Sequence, residues 1–168
     1  QKLLAAGKLP LRVTHNDTKL NNVLLDNETR KPMCVLDLDT VMPGSALYDF
    51  GDAIRYGAST AAEDETDLDK VSMDMDLFTA FSEGFIANTA ARLTDVELKS
   101  LPLGALVMTY ENALRFLADY LDGDIYFKID YPAHNLDRAR CQCRLLTDME
   151  AKRERMDEIV AGLCRRYA

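Results

Sequence analysis

The chain has 168 residues, 48% hydrophobic and 29% charged, with a net charge of −8. That balance fits one soluble globular domain with its own core, and it argues against non-specific binding to nucleic acid or to an anionic membrane. The longest uncharged run, SLPLGALVMTY from Ser100 to Tyr110, is too short to span a bilayer. Four cysteines with no C-x-x-C pair, beside only two histidines, give no zinc pattern and fit a reduced, cytoplasmic setting.

Residues 1–10 read as the end of a helix that Pro10 stops, because proline lacks the N–H and its ring clashes with the preceding turn. LRVT, Leu11 to Thr14, is a short apolar entry. NVLLD, Asn22 to Asp26, and MCVLDLD, Met33 to Asp39, read as two strands joined by the turn residues NETRKP. SALYDFGDAIRYG, Ser45 to Gly57, has helical spacing with Gly57 as its stop. Residues 58–71 are acidic and short of large apolar side chains, the composition of an exposed loop. From Ser72 the period is helical. Leu77, Phe78, Phe81 and Phe85 recur on one face; after Pro102, Leu106, Tyr110, Leu114, Leu117 and Leu121 do the same until Asp122-Gly123 breaks the run. His134 to Leu163 forms a last charged helical run, with Leu145, Met149, Met156, Ile159 and Val160 as its stripe. The expected fold class is α+β, mostly α: a short β-hairpin plus a helical bundle in one domain, 1–168.

The stretch THNDTKLNNVLLD, Thr14 to Asp26, carries the chemistry. Its spacing is His15-x-Asp17-x-x-x-x-Asn22. Phosphoryl transfer to a hydroxyl needs a carboxylate to accept or orient the hydroxyl proton, an amide oxygen near a metal ion, and a second carboxylate holding that ion against the phosphates. Asp17 fits the first role and Asn22 the second, while Lys19 can offset charge on the transferred group. Asp37, closing the apolar run MCVL, fits the third. A polar turn whose Asp and Asn cap local backbone is the ordinary reading of such a stretch, but a turn does not need His, Asp, Lys and Asn together. The letters Asp49-Phe50-Gly51 spell the D-F-G of protein kinases, yet they lie inside a helical pattern. Asp37 is therefore read as the metal ligand, and Asp49 as a brace for its helix.

HNDTKLNN followed by CVLDLDTVMPGSALYDFGDAIR resembles the aminoglycoside phosphotransferase family, small-molecule kinases that share the protein-kinase-like fold, and within it the N-acetylhexosamine 1-kinases. The similarity is dense from Val13 to Arg55 and looser beyond. It implies an ATP- and Mg²⁺-dependent kinase of a small-molecule alcohol such as a sugar, with Asp17 as catalytic base and Asn22 and Asp37 as Mg²⁺ ligands. By the same resemblance Thr40, Arg115 and Tyr126 are candidate sugar contacts; from the residues alone, Thr40 could only begin a loop, Arg115 could pair with Glu111 along a helix, and Tyr126 could simply pack. Asp39 departs from the commonest family pattern. Kinases of this fold carry a preceding nucleotide lobe, and here no G-x-G occurs and His15 lies close to the start. The expectation is a C-terminal lobe alone, inactive in isolation and prone to self-association through an apolar face near Leu11 to Thr14 and the strand pair.

Three other readings compete. VLDLDTV fits the D-x-D-x-[TV] signature of haloacid-dehalogenase-like phosphatases, with Asp37 as nucleophile and Asp39 as general acid/base. That chemistry sits on a parallel α/β sheet, and no strand–helix alternation follows Asp39. A protein kinase would show A-P-E after the metal aspartate, and none is present. A non-catalytic binding module of kinase fold is the third.

Overall fold

The computed structural model describes residues 2–167; Gln1 and Ala168, the two ends of the expected 1–168 domain, lie outside the described residues. The chain begins with a single helical turn, α1 (Lys2–Ala5). Gly7, at φ +67°, turns the backbone after it, so the helix stops well before Pro10, contrary to the sequence reading.

Four short strands follow as two antiparallel pairs: β1 (Arg12–Thr14) with β4 (Met42–Gly44), and β2 (Val23–Leu25) with β3 (Pro32–Val35). The β2–β3 hairpin is the one expected. The β1–β4 pair is not, because Met42-Pro43-Gly44 has no strand-like composition. Its register sets Val13 opposite Pro43 and Arg12 opposite Gly44. Proline is tolerated there since a two-stranded pair is all edge. The expected strand Met33–Asp39 ends at Val35. Asp37 takes a left-handed conformation, φ 60°, and Leu38–Thr40 forms a 3₁₀ turn, so the carboxylates sit on a tight corner.

Helix α2 (Ala46–Gly57) starts where the Ser45 side chain accepts a hydrogen bond from Leu47 N, and it is buried along most of its length. It crosses α4 (Asp95–Leu121) at Gly51 and Gly104. A Cβ on Gly51 would lie 2.3 Å from Gly104 O, and one on Gly104 would lie 2.5 Å from Leu47 O. Between them in chain order comes α3 (Met75–Thr89), capped by Asp74, whose carboxylate accepts from Asp76 N and Leu77 N. Phe78 is fully buried against Phe50, while Leu77 and Phe81 are exposed. The face expected from 77, 78, 81 and 85 is thus split across the core boundary.

Two helical expectations are corrected. Helix α4 begins seven residues before Pro102, at a complete Thr94–Glu97 capping box. Its expected stripe is not the core face: Tyr110, Leu114, Leu117 and Leu121 are exposed, Leu121 by 73%. The buried face is built from Leu98, Leu101, Gly104, Ala105, Thr109, Ala113 and Phe116, small residues among large ones that let α2 and α5 come close. The last run is two helices, α5 (His134–Ala151) and α6 (Arg153–Tyr167). At the break Lys152 Nζ donates to Met73 O at 2.8 Å, and Asp148 accepts from Met73 N at 2.7 Å. The bend lets Met149 and Met156 both reach full burial.

Residues 58–71 are not simply an exposed loop either. Ala58 and Val71 are buried, Ser59 bridges Met73, and the Leu68–Lys70 segment forms a 3₁₀ turn. Their acidic groups are used: Glu63 accepts from Arg55, and Asp64 meets His134 Nε2 at 3.0 Å. None of the described helices is long and apolar enough to cross a membrane.

Candidate active site

The loop from Thr14 to Asn22 leaves β1 and is held from three sides. From α2, the Asp49 carboxylate accepts His15 N at 3.0 Å and Asn16 N at 2.8 Å. Asp49 therefore braces this loop as well as standing in the first turn of its own helix. Thr18 Oγ1 donates to Asp49 O at 2.5 Å. From the Leu38–Thr40 turn, Thr40 Oγ1 donates to His15 O at 2.6 Å, and Thr40 O accepts from Asn16 Nδ2 at 3.0 Å. From the end of β3, Leu36 O lies 2.9 Å from His15 Nε2. His15 as donor there leaves Nδ1 as a buried atom with no partner. Asn16 sits at φ 63°, a conformation asparagine tolerates better than most residues.

So fixed, the loop presents Asp17 with each carboxylate oxygen engaged. Asn22 Nδ2 donates to Oδ2 at 2.8 Å and also to the Asp17 carbonyl at 2.9 Å. Lys19 Nζ lies 3.2 Å from Oδ1. The amide nitrogen of Asn22 is spent on Asp17, which leaves its oxygen for a cation. Leu36 N donates to Asn22 O at 2.8 Å, so the Asp37 corner begins one residue beyond the Asn22 backbone. The side chain of Asp39 stands against that of Asp37; their hydrogen bond and mutual charge hold the Asp37 carboxyl above the ordinary carboxylate range, with Asp17 adding to the effect. Crowded carboxylates of this kind fit a divalent cation. Asn22 and Asp37 are the residues that would hold it, although no group of three or more His, Cys, Asp or Glu among the described residues is positioned as a ligand set. Both sheets are antiparallel pairs, not the parallel sheet that the phosphatase reading of Asp37 and Asp39 calls for.

Two of the cavities beside the loop reach its charged residues. One, about 410 Å³, is bounded by Asn16 and Asp17, by Tyr48 and Asp52 of α2, and by residues from Val107 to Arg115 of α4. The other, about 430 Å³, lies towards Lys19, Tyr56, Glu63, Asp64 and Arg138. The buried pair Asp52–Arg55 stands between them, Arg55 Nη2 lying 2.9 Å from Asp52 Oδ1. Burial pushes the Asp52 carboxyl up, against the pull of Arg55. Burial alone would lower Arg55, but Asp52 and Glu63 hold it above its ordinary value.

Of the three candidate substrate residues, Arg115 lines the cavity that contains Asp17. Tyr126 does not line it but stacks near Arg115, whose guanidinium carbon is 5.8 Å from the ring centre. Tyr126 is 75% exposed. Its loop is anchored by Asp119, which accepts from the backbone N–H of Ile125, Tyr126 and Phe127. The Thr40 hydroxyl is committed to His15, a brace rather than a group projecting into the cavity. Sequence reasoning missed Asp52, Asp49's loop contact and the role of His15 at Leu36. Only the helical i to i+3 spacing of Asp52 and Arg55 could have drawn attention to the first.

Residues 1–75, which carry the loop, both sheets and α2, match the model of the phosphotransferase enzyme family APH.

Proposed function

We propose that this chain carries the catalytic centre of an ATP- and Mg²⁺-dependent kinase that phosphorylates a hydroxyl of a small sugar, of N-acetylhexosamine type. The observation that carries the reading is the Asp17 carboxylate, held between Lys19 and Asn22 at the edge of a cavity of small-molecule size. Asp17 orients the acceptor hydroxyl and takes its proton. Lys19 offsets negative charge beside it. Asn22 Oδ1 and the Asp37 carboxylate are the groups for Mg²⁺, which when bound neutralises charge on the phosphates. Arg115 and Tyr126 stand at the acceptor side.

The nucleotide side is supported by a different feature. Val13 is 83% exposed, and Leu11, Met33, Val35, Leu38 and Met42 are also exposed, on the two strand pairs and beside their ends. An apolar face of that extent marks an interaction surface, and a nucleotide-binding lobe is the partner this reading places there; without one the chain turns over little ATP. The net charge of −8 argues against nucleic acid or an anionic membrane as partner, and the reading implies a cytoplasmic enzyme.

The test is a coupled assay of phosphate transfer from ATP to N-acetylglucosamine, in a preparation that includes the nucleotide-binding lobe. Asp17→Asn should lower kcat by ~10²–10⁴ with little change in acceptor affinity, since proton transfer acts in the transition state. Undiminished turnover in that variant removes Asp17 from the mechanism.

A further inference from the structure

The apolar stripe that periodicity assigned to the core lies on the outside of α4. Leu103, Val107, Tyr110, Leu114, Leu117 and Leu121 are all exposed, from 37% at Leu117 to 73% at Leu121. Their steps alternate four and three residues. That spacing keeps one line of side chains turned towards a neighbouring helix over several turns. The opposite side of α4, with Leu101, Ala105, Thr109 and Phe116, is the one buried against α2 and α5. At 1.5 Å per residue the stripe is about 27 Å long, the length of a helix of five turns. Contiguous apolar surface on this scale marks a place of contact.

The surroundings of the stripe say what fits it. Val107 alone of the six borders the cavity beside Asp17, and the other five border neither that cavity nor the one towards Tyr56. A small molecule, which needs a concave site, therefore does not account for them. A helix carrying the same spacing does, because its side chains interlock with the stripe along its whole length. Charge then narrows the choice. In the middle of α4, Glu111 and Arg115 lie 3.8 Å apart and offset each other. At the far end Asp122 and Asp124 follow Leu121 at once, where the last carbonyls of the helix add to the negative field. The complementary partner is basic at the end that covers Leu121.

We propose that the outward face of α4 from Leu103 to Leu121 is a docking surface for an amphipathic helix of a partner protein, with a leucine-type stripe laid on the six side chains and lysine or arginine at the end that meets Asp122 and Asp124. The proposal does not depend on the phosphotransfer reading and stands or falls apart from it.

The probe is a fluorescently labelled synthetic helix of three heptads with leucine at the a and d positions and lysines in one terminal heptad. A second peptide has glutamates in place of the lysines. Anisotropy titrations of the chain should show binding of the lysine peptide, with the glutamate peptide at least ten-fold weaker. This comparison needs no variant, so a folding defect cannot blunt it. Leu114→Glu with Leu121→Glu, both at exposed positions, should weaken the lysine peptide ten-fold or more. Asp122→Lys should reduce the preference between the two peptides several-fold, which general attraction to an acidic chain would not do. Val13→Lys with Met33→Lys, on the strand pairs, should leave the affinity unchanged. Equal binding of both peptides, a preference untouched by Asp122→Lys, or no binding of either overturns the proposal. Affinity lost with the strand-pair variant but kept with the α4 variant puts the peptide on the strands and overturns it too. So does a fall in light-scattering mass to the monomer value with Leu114→Glu and Leu121→Glu, since a second copy of the chain then covers α4.

Discussion

Asp37 and Asp49 divide two tasks that the letters D-F-G invite one to merge. Asp49 takes two backbone N–H groups of the Thr14–Asn22 loop, so its removal leaves two donors unpaired. Asp49→Ala should lower stability by about 1–3 kcal/mol, read as a shift in the urea midpoint. Asp37 is exposed on its left-handed corner, and Asp39 holds its carboxyl up. Asp37→Asn keeps a residue that tolerates that backbone and relieves the crowding with Asp39. It should leave the urea midpoint unchanged or slightly raised while abolishing Mg²⁺-ATP-dependent transfer. The reverse pattern, an active Asp37→Asn beside a stable but inactive Asp49→Ala, shows that the metal ligand has been assigned to the wrong aspartate. The His15–Leu36 contact belongs to the same scale: with the Thr40 and Asn22 bonds it ties the Thr14–Asn22 loop to the Asp37 corner.

At the scale of elements, the α2–α4 crossing depends on two glycines. Gly51→Ala would push a methyl to within 2.3 Å of the Gly104 carbonyl, a backbone atom that cannot swing aside. The expected cost is about 2–3 kcal/mol, in the upper part of the overpacking range. Gly84→Ala on α3 has open space around the new methyl and should stabilise by roughly 0.5–1 kcal/mol through helix propensity. Chemical denaturation of the two variants checks the opposite signs. The loop after α4 offers a pH test. Burial would raise the Asp119 carboxyl, but the N–H groups of Phe127, Tyr126 and Ile125 together with Asn135 outweigh it and hold it below its ordinary value. A carboxylate lowered on folding stabilises fully above its unfolded value, about 4, and that contribution is lost as pH falls through the folded value. Thermal melts of wild type and Asp119→Asn should therefore differ most near neutrality and converge as the pH drops below about 4. A gap that does not narrow in acid means that the ionised carboxylate is not what anchors Tyr126.

For the whole molecule, the exposed apolar residues on the two sheets have the largest consequence. Burying such a face stabilises by about 25 cal/mol per Å² of apolar surface, so the chain should self-associate as concentration rises. Light scattering should show a mass above 18.9 kDa, and Val13→Lys with Met33→Lys should return it to the monomer value; a monomer at all concentrations contradicts the expectation. The sequence by itself determined the polar loop from Thr14 to Asn22, the hairpin and α2. Their signals are local: the spacing of His15, Asp17 and Asn22, the turn residues between two apolar runs, and a Ser cap before a helical period. Other features depended on contacts between residues far apart in the chain. Met42–Gly44 is a strand only because β1 lies beside it. The core face of α4 mixes small residues with large ones because α2 approaches to Gly104, and other large apolar residues were left outside where periodicity alone expected them inside. Asp52 lines a cavity only because α2, α4 and the loop converge on it. Local chemistry fixed which groups the site contains, and long-range packing decided which of them face one another, because burial is a property of the neighbours an element acquires and not of its own sequence.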